Sequence, residues 1–133
     1  MKTVILVPRR EDGGHRDRLW AHCKALWIER HPDWEIYEGH HNDGPFNRSA
    51  AVNLAAEMAG DWDVALIIDS DVITAPDSVE DAVKLAYSTD KMVVGHDERV
   101  MLTKSGTESV LGGYVGPWRA RSMVERVWMD SVS

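Results

Sequence analysis

Two spacings of hydrophobic and polar residues divide this chain. Residues 3–7, Thr3-Val4-Ile5-Leu6-Val7, are a nearly unbroken apolar run cut off by Pro8. A run without polar alternation predicts a central strand covered on both faces. Between 15 and 30 the spacing changes: Leu19, Cys23, Leu26 and Trp27 recur at helical intervals, and His31-Pro32-Asp33 closes the helix. Trp34-Glu35-Ile36-Tyr37-Glu38 alternates apolar and polar residues as a half-exposed strand does. The alanine-rich stretch 46–59 predicts a second helix, with Asn47 or Ser49 as its cap and Gly60 as its stop. Ala65-Leu66-Ile67-Ile68 reads as a buried strand running into Asp69-Ser70-Asp71, and Ala75-Pro76-Asp77-Ser78 opens a third helix over Val79, Val83, Leu85 and Ala86. Further on, Lys91-Met92-Val93-Val94-Gly95 and Val100-Met101-Leu102-Thr103 are expected strands. Pro117 is expected to start a helix whose apolar stripe is Trp118, Val124, Val127 and Trp128. Short β-α-β connections imply right-handed units and strands of common direction.

This order of elements predicts a single α/β domain over residues 1–133. Composition adds limits: 44% hydrophobic and 28% charged residues are ordinary for a soluble globular protein. The formal charge of −7 disfavours a nucleic-acid surface as the main partner. Residues 1–30 nevertheless hold seven of the fifteen basic side chains, which suits a local site for a small anion. Cys23 is the only cysteine, so no intrachain disulfide can form. The run at 4–7 is too short for a signal-peptide core, no stretch approaches a membrane span, and a cytoplasmic protein is expected.

Candidate chemistry lies where strands are expected to end. On a strand, alternation would send Asp69 and Asp71 to the same side, and two carboxylates there would repel unless a cation sat between them. Hard oxygen ligands suit Mg²⁺ or Mn²⁺, which take their remaining ligands from water and substrate phosphates. A polar strand end entering a turn is the plainer alternative. Arg9 and Arg10 follow the first strand, where open α/β sheets bind ligands, although surface charge would explain them too. Arg48 stands in the first turn of its helix, an unfavourable place for a cation unless an anion binds there. His40-His41-Asn42-Asp43-Gly44 fits a polar turn better than a metal cluster, because consecutive loop residues rarely converge on one ion. Gly112 and Gly113 could admit a sugar close to the backbone or mark an irregular strand.

The succession Pro8-Arg9-Arg10-Glu11, then Phe46-Asn47-Arg48-Ser49 opening a helix that contains Asn53, then Asp69-Ser70-Asp71, then Gly112-Gly113-Tyr114-Val115 resembles the donor-binding half of GT-A-fold glycosyltransferases, notably β-1,4-galactosyltransferases and family 2-type enzymes. The resemblance implies a three-layer, Rossmann-like fold with a mainly parallel central sheet. It implies a nucleotide-diphosphate sugar, UDP-sugar first, as donor, Mn²⁺ or Mg²⁺ as cofactor, and transfer to an unknown acceptor. By matching position, Pro8, Arg9, Arg10, Phe46 and Arg48 would hold the UDP part. Asp69, Ser70 and Asp71 would meet the ribose and the metal, with Asp71 the main ligand, and Gly112 and Gly113 would lie beside the sugar. The family's later acidic motif with the acceptor-activating base, and the histidine that completes its metal site, have no counterpart before Ser133. The expectation is therefore a domain lacking the usual C-terminal acceptor segment, with its catalytic base unassigned.

Other readings stay open. A non-catalytic nucleotide-sugar-binding relative would keep the same residues. The acids at 69 and 71 also resemble the nucleophile and general acid of haloacid-dehalogenase-like phosphatases, which carry that pair on their first strand. A nucleotidyltransferase would want a Gly-rich loop after strand one, for which Asp12-Gly13-Gly14-His15 is slight. Six tryptophans leave room for an apolar face covered by a second subunit.

Overall fold

A computed structural model describes residues 1–96, 98–113 and 124–129. It divides into two units, Met1–Val93 and Val94–Ser133. The first contains β1 (Thr3–Arg9), α1 (His15–Arg30), β2 (Glu35–His40), α2 (Arg48–Ala59), β3 (Val64–Ile67) and α3 (Pro76–Thr89). The second contains β4 (Glu98–Leu102), α4 (Lys104–Leu111) and β5 (Val124–Met129).

In the first unit the strands form a parallel sheet in the order β2-β1-β3. The apolar run of β1 is central, and Val4, Ile5, Leu6 and Val7 are essentially fully buried. Their alternation divides the core between the two sheet faces. Ile5 and Val7 pack with Trp20, Cys23 and Trp27 of α1, with Ile68, and with Val79 of α3. Val4 and Leu6 pack with Ala55 and Ala59 of α2. Small residues line that second contact for a reason. A Cβ placed on Gly39 of β2 would lie 1.8 Å from the Ala51 carbonyl oxygen, so α2 rests on the strand backbone itself. The chain is thus mixed α/β, with a small parallel three-stranded sheet and, among the described residues, four helices.

In the second unit β4 and β5 pair antiparallel, with Val100 opposite Val127 and an irregularity between Met101 and Leu102. Thr103 caps α4 by accepting a hydrogen bond from the Gly106 amide at 3.0 Å.

Three expectations from periodicity need correction. Residues 124–129 are strand and not helix. Val124, Val127 and Trp128 have helical spacing, and pairing with β4 overrides that local pattern. Residues 91–95 adopt no strand, and Met92 and Val94 are exposed, at 95% and 68%, where a buried strand would cover them. Gly112 and Gly113 lie at the end of α4 and not on a strand: their amides donate to the Glu108 and Val110 carbonyls, and Gly113 takes a φ of 107°. Helix α4 itself was not anticipated. The expected helix start at Pro117 and Trp118, and Tyr114 and Val115 of the glycine motif, lie outside the described residues.

Candidate functional site

Parallel strands send their carboxyl ends to one edge, so the loops leaving Arg9, His40 and Ile67 start from the same side of the sheet. The chain passes from β1 to β2 on one side, then crosses back to place β3 on the other side of β1. That reversal puts the topological switch point at the ends of β1 and β3, the usual ligand position in sheets of this kind.

Pro8 helps to set where the two strands part. The Leu6 carbonyl accepts from the Ile68 amide at 3.1 Å, and the β1–β3 register ends with Leu6 opposite Ile67. Backbone groups two residues apart on a strand face the same neighbour, so position 8 would present its amide toward β3. Proline has none, and the ladder stops there while β1 continues with β2 through Pro8 opposite Gly39 and Arg9 opposite His40.

The two arginines after Pro8 have different surroundings. Arg9 is only 8% exposed, and its guanidinium is bound by Asp17 at 2.5 Å and Glu38 at 2.9 Å, 5.8 Å from the Trp20 ring centre. Glu38 also accepts from Trp20 Nε1 at 2.9 Å and Lys24 Nζ at 2.8 Å. Burial alone would raise the Glu38 carboxyl, but hydrogen bonds from Lys24, Arg9 and Trp20 outweigh it and hold Glu38 below the ordinary carboxylate value. Arg9 therefore anchors α1 and β2 beneath the site. Asp17 also accepts from the Gly13 amide at 2.9 Å, and Asp12 accepts from the Gly14, Arg16 and Asp17 amides, which ties down the loop between β1 and α1. Those amide bonds, Gly14 first, hold the Asp12 carboxyl below its ordinary value.

Arg10 turns toward α2. Its Nε donates to the His41 carbonyl at 2.9 Å, its guanidinium carbon lies 5.9 Å from the Phe46 ring centre, and its buried Nη2 has no hydrogen-bond partner among the described residues. His41 in turn sets the approach to the helix. Its Nδ1 accepts from the Asn47 amide at 3.2 Å, its ring meets Phe46 edge-on at 6.4 Å, and Asn47 caps α2 by accepting from the Ala50 amide at 3.0 Å. Arg48, the next residue, donates from Nε to Asp69 Oδ1 at 3.0 Å.

The two acids have different neighbours. β3 ends at Ile67, so Asp69 and the Ser70-Asp71 turn lie beyond the strand, and strand alternation does not govern their directions. Asp69 reaches Arg48 at the start of α2. Asp71 lies close enough to Cys23 of α1 that, after burial, its charge is the second cause pushing the thiol up to about 11. Helices α1 and α2 occupy opposite faces of the sheet. Among the described residues, no three His, Cys, Asp or Glu side chains gather as a metal group. Two carboxylates still match the donor set of Mg²⁺ or Mn²⁺ held largely by substrate phosphates.

Pro8, Arg10, Phe46, Arg48, Asp69, Ser70 and Asp71 therefore lie at or just beyond element ends on one sheet edge, and Arg9, the last residue of β1, is buried. Gly112 and Gly113 belong to the other unit. Sequence reasoning set His41 aside as part of a polar turn and passed over Glu38. Only position explains them, since a single histidine or an alternating glutamate carries no motif. Comparisons with protein-family models, curated proteins and solved structures found no match. Among the described residues no helix is long and apolar enough to cross a membrane.

Proposed function

We propose that the Met1–Val93 unit binds the diphosphate and base of a nucleotide sugar, UDP-sugar first, and that the protein is a metal-dependent glycosyltransferase of GT-A type. The observation that carries this reading is the Arg10 guanidinium, which directly follows the end of β1. A buried guanidinium nitrogen without a partner is costly, and a phosphate oxygen would satisfy it. Phe46, partly exposed beside it, offers an apolar face to a base or ribose. Arg48 at the first turn of α2 adds charge where the helix amides already favour an anion.

A glycosyl donor departs as a nucleoside diphosphate, and negative charge grows on the oxygen that leaves. Arg10 and Arg48 stand at the ends of β1 and α2, so their charge would be on hand where the leaving group's charge develops. Asp69 and Asp71 would hold a divalent cation, which when bound supplies further positive charge to the diphosphate. Glu38 and Asp17 keep Arg9 in place and so fix the strand end that presents Arg10.

A thermal-shift panel of nucleoside diphosphates and their sugars, with and without Mn²⁺, tests the reading. UDP and UDP-sugars should raise the melting temperature more with Mn²⁺ than without, and Arg10→Ala should remove most of the shift. A panel in which no nucleotide moves the midpoint would reject it. Release of UDP from the sugar would then separate an enzyme from a binding protein.

A further inference from the structure

We infer that Arg48 and Asp69 form a latch that opposes a divalent cation in the nucleotide-free protein and releases it to the site when a diphosphate arrives. This rests on the nucleotide reading above and concerns how that site is filled. The guanidinium of Arg48 occupies Oδ1 of Asp69 at 3.0 Å, and both side chains are about half exposed, at 54% each. One of the two carboxylates expected to hold a cation is thus already neutralised by a fixed positive charge. Asp71, two residues on, makes no such pair with Arg48 among the described residues.

The same arginine is the one placed to meet a phosphate. A guanidinium has five donors and a strong preference for bidentate phosphate contact, so an arriving diphosphate competes with Asp69 for it. Once Arg48 turns to the phosphate, the Asp69 carboxylate is left without its counter-charge and is free to take a cation that the diphosphate also ligates. Cation and nucleotide binding become mutually favourable, and by linkage each strengthens the other by the same factor. No other charge need move, because the exposed pair is held by a single contact on each side.

The latch makes an unusual claim about the cation alone. Deleting a cationic side chain from the site should improve binding of Mn²⁺ without nucleotide. An exposed ion pair sets the size, about two- to fivefold in Kd. Mn²⁺ is titrated by electron paramagnetic resonance into wild type, Arg48→Ala and Asp69→Asn, with and without UDP, and circular dichroism checks that each variant is folded. Support is tighter Mn²⁺ binding by R48A without UDP, together with a UDP-induced gain in Mn²⁺ affinity that is larger in wild type than in R48A. Equal or weaker Mn²⁺ binding by R48A overturns the latch, as does Mn²⁺ binding that D69N leaves unchanged. If R48A binds Mn²⁺ more tightly but UDP changes nothing in any variant, the antagonism between Arg48 and the cation stands and the nucleotide reading falls.

Discussion

Gly39→Ala tests the packing that carries the site. Gly39 lies in β2 under α2, and an added Cβ would sit 1.8 Å from the Ala51 carbonyl oxygen, 2.8 Å from its carbon and 3.0 Å from the Ala55 amide nitrogen. All three are helix backbone atoms, so no rotamer change can relieve the clash. Reaching the start of ordinary van der Waals contact at 3.4 Å requires α2 to retreat by the difference of 3.4 and 1.8, or 1.6 Å. That movement opens the cluster of Val4, Leu6, Ala55 and Ala59. Overpacking usually costs about 1–3 kcal/mol, and a backbone clash belongs at or above the upper figure. Against a total stability of roughly 5–15 kcal/mol, a loss of about 3 kcal/mol is readily measured in urea melts. Ala51→Gly in the same chain should not rescue it, because the obstructing atom is the Ala51 carbonyl and not its methyl. A loss below about 0.5 kcal/mol, the scatter of neutral surface substitutions, or full rescue by Ala51→Gly, would refute the close approach of helix and strand.

Other expectations follow from individual contacts. Arg48→Ala should cost at most about 1 kcal/mol of stability, the worth of an exposed pair, yet weaken UDP binding in Mn²⁺ about ten- to a hundredfold; calorimetry and melts that show the reverse pattern remove Arg48 from the site. His31 is buried between Trp34, stacked at 4.0 Å, and Glu80 at 3.5 Å, and burial lowers it below its ordinary 6.5 despite Glu80. The unfolded chain then binds the proton more readily, so this contribution is complete above pH 6.5 and fades as pH falls through the lowered folded value; His31→Phe should flatten the stability profile below pH 6.5, and an unchanged slope argues against it. Cys23, buried with its thiol raised to about 11, should resist thiol reagents at pH 8 until the protein unfolds, and rapid labelling of the native state would contradict its place on the buried face of α1.

The central strand, the first three helices and the edge from which the loops leave were legible in the sequence, because each rests on local information. An unbroken apolar run such as 4–7 must be covered on both faces, proline stops a ladder, and Asn47 caps whatever helix follows it. Elements that depend on a distant partner were not legible. Val124, Val127 and Trp128 are spaced as on a helix, and β4, more than twenty residues earlier, overrides that pattern by pairing. Met92-Val93-Val94 looks like a strand by composition, but composition cannot supply a neighbour to pair with. The candidate site divides in the same way. That Arg9, Arg10, Arg48 and two acids follow strand or helix ends could be read from spacing, while the partners of each charge could not. Tertiary structure alone buries Arg9 between Asp17 and Glu38, leaves Arg10 with an unsatisfied nitrogen, and joins Arg48 to Asp69 across 21 positions, because an ion pair is decided by distance in space and not along the chain.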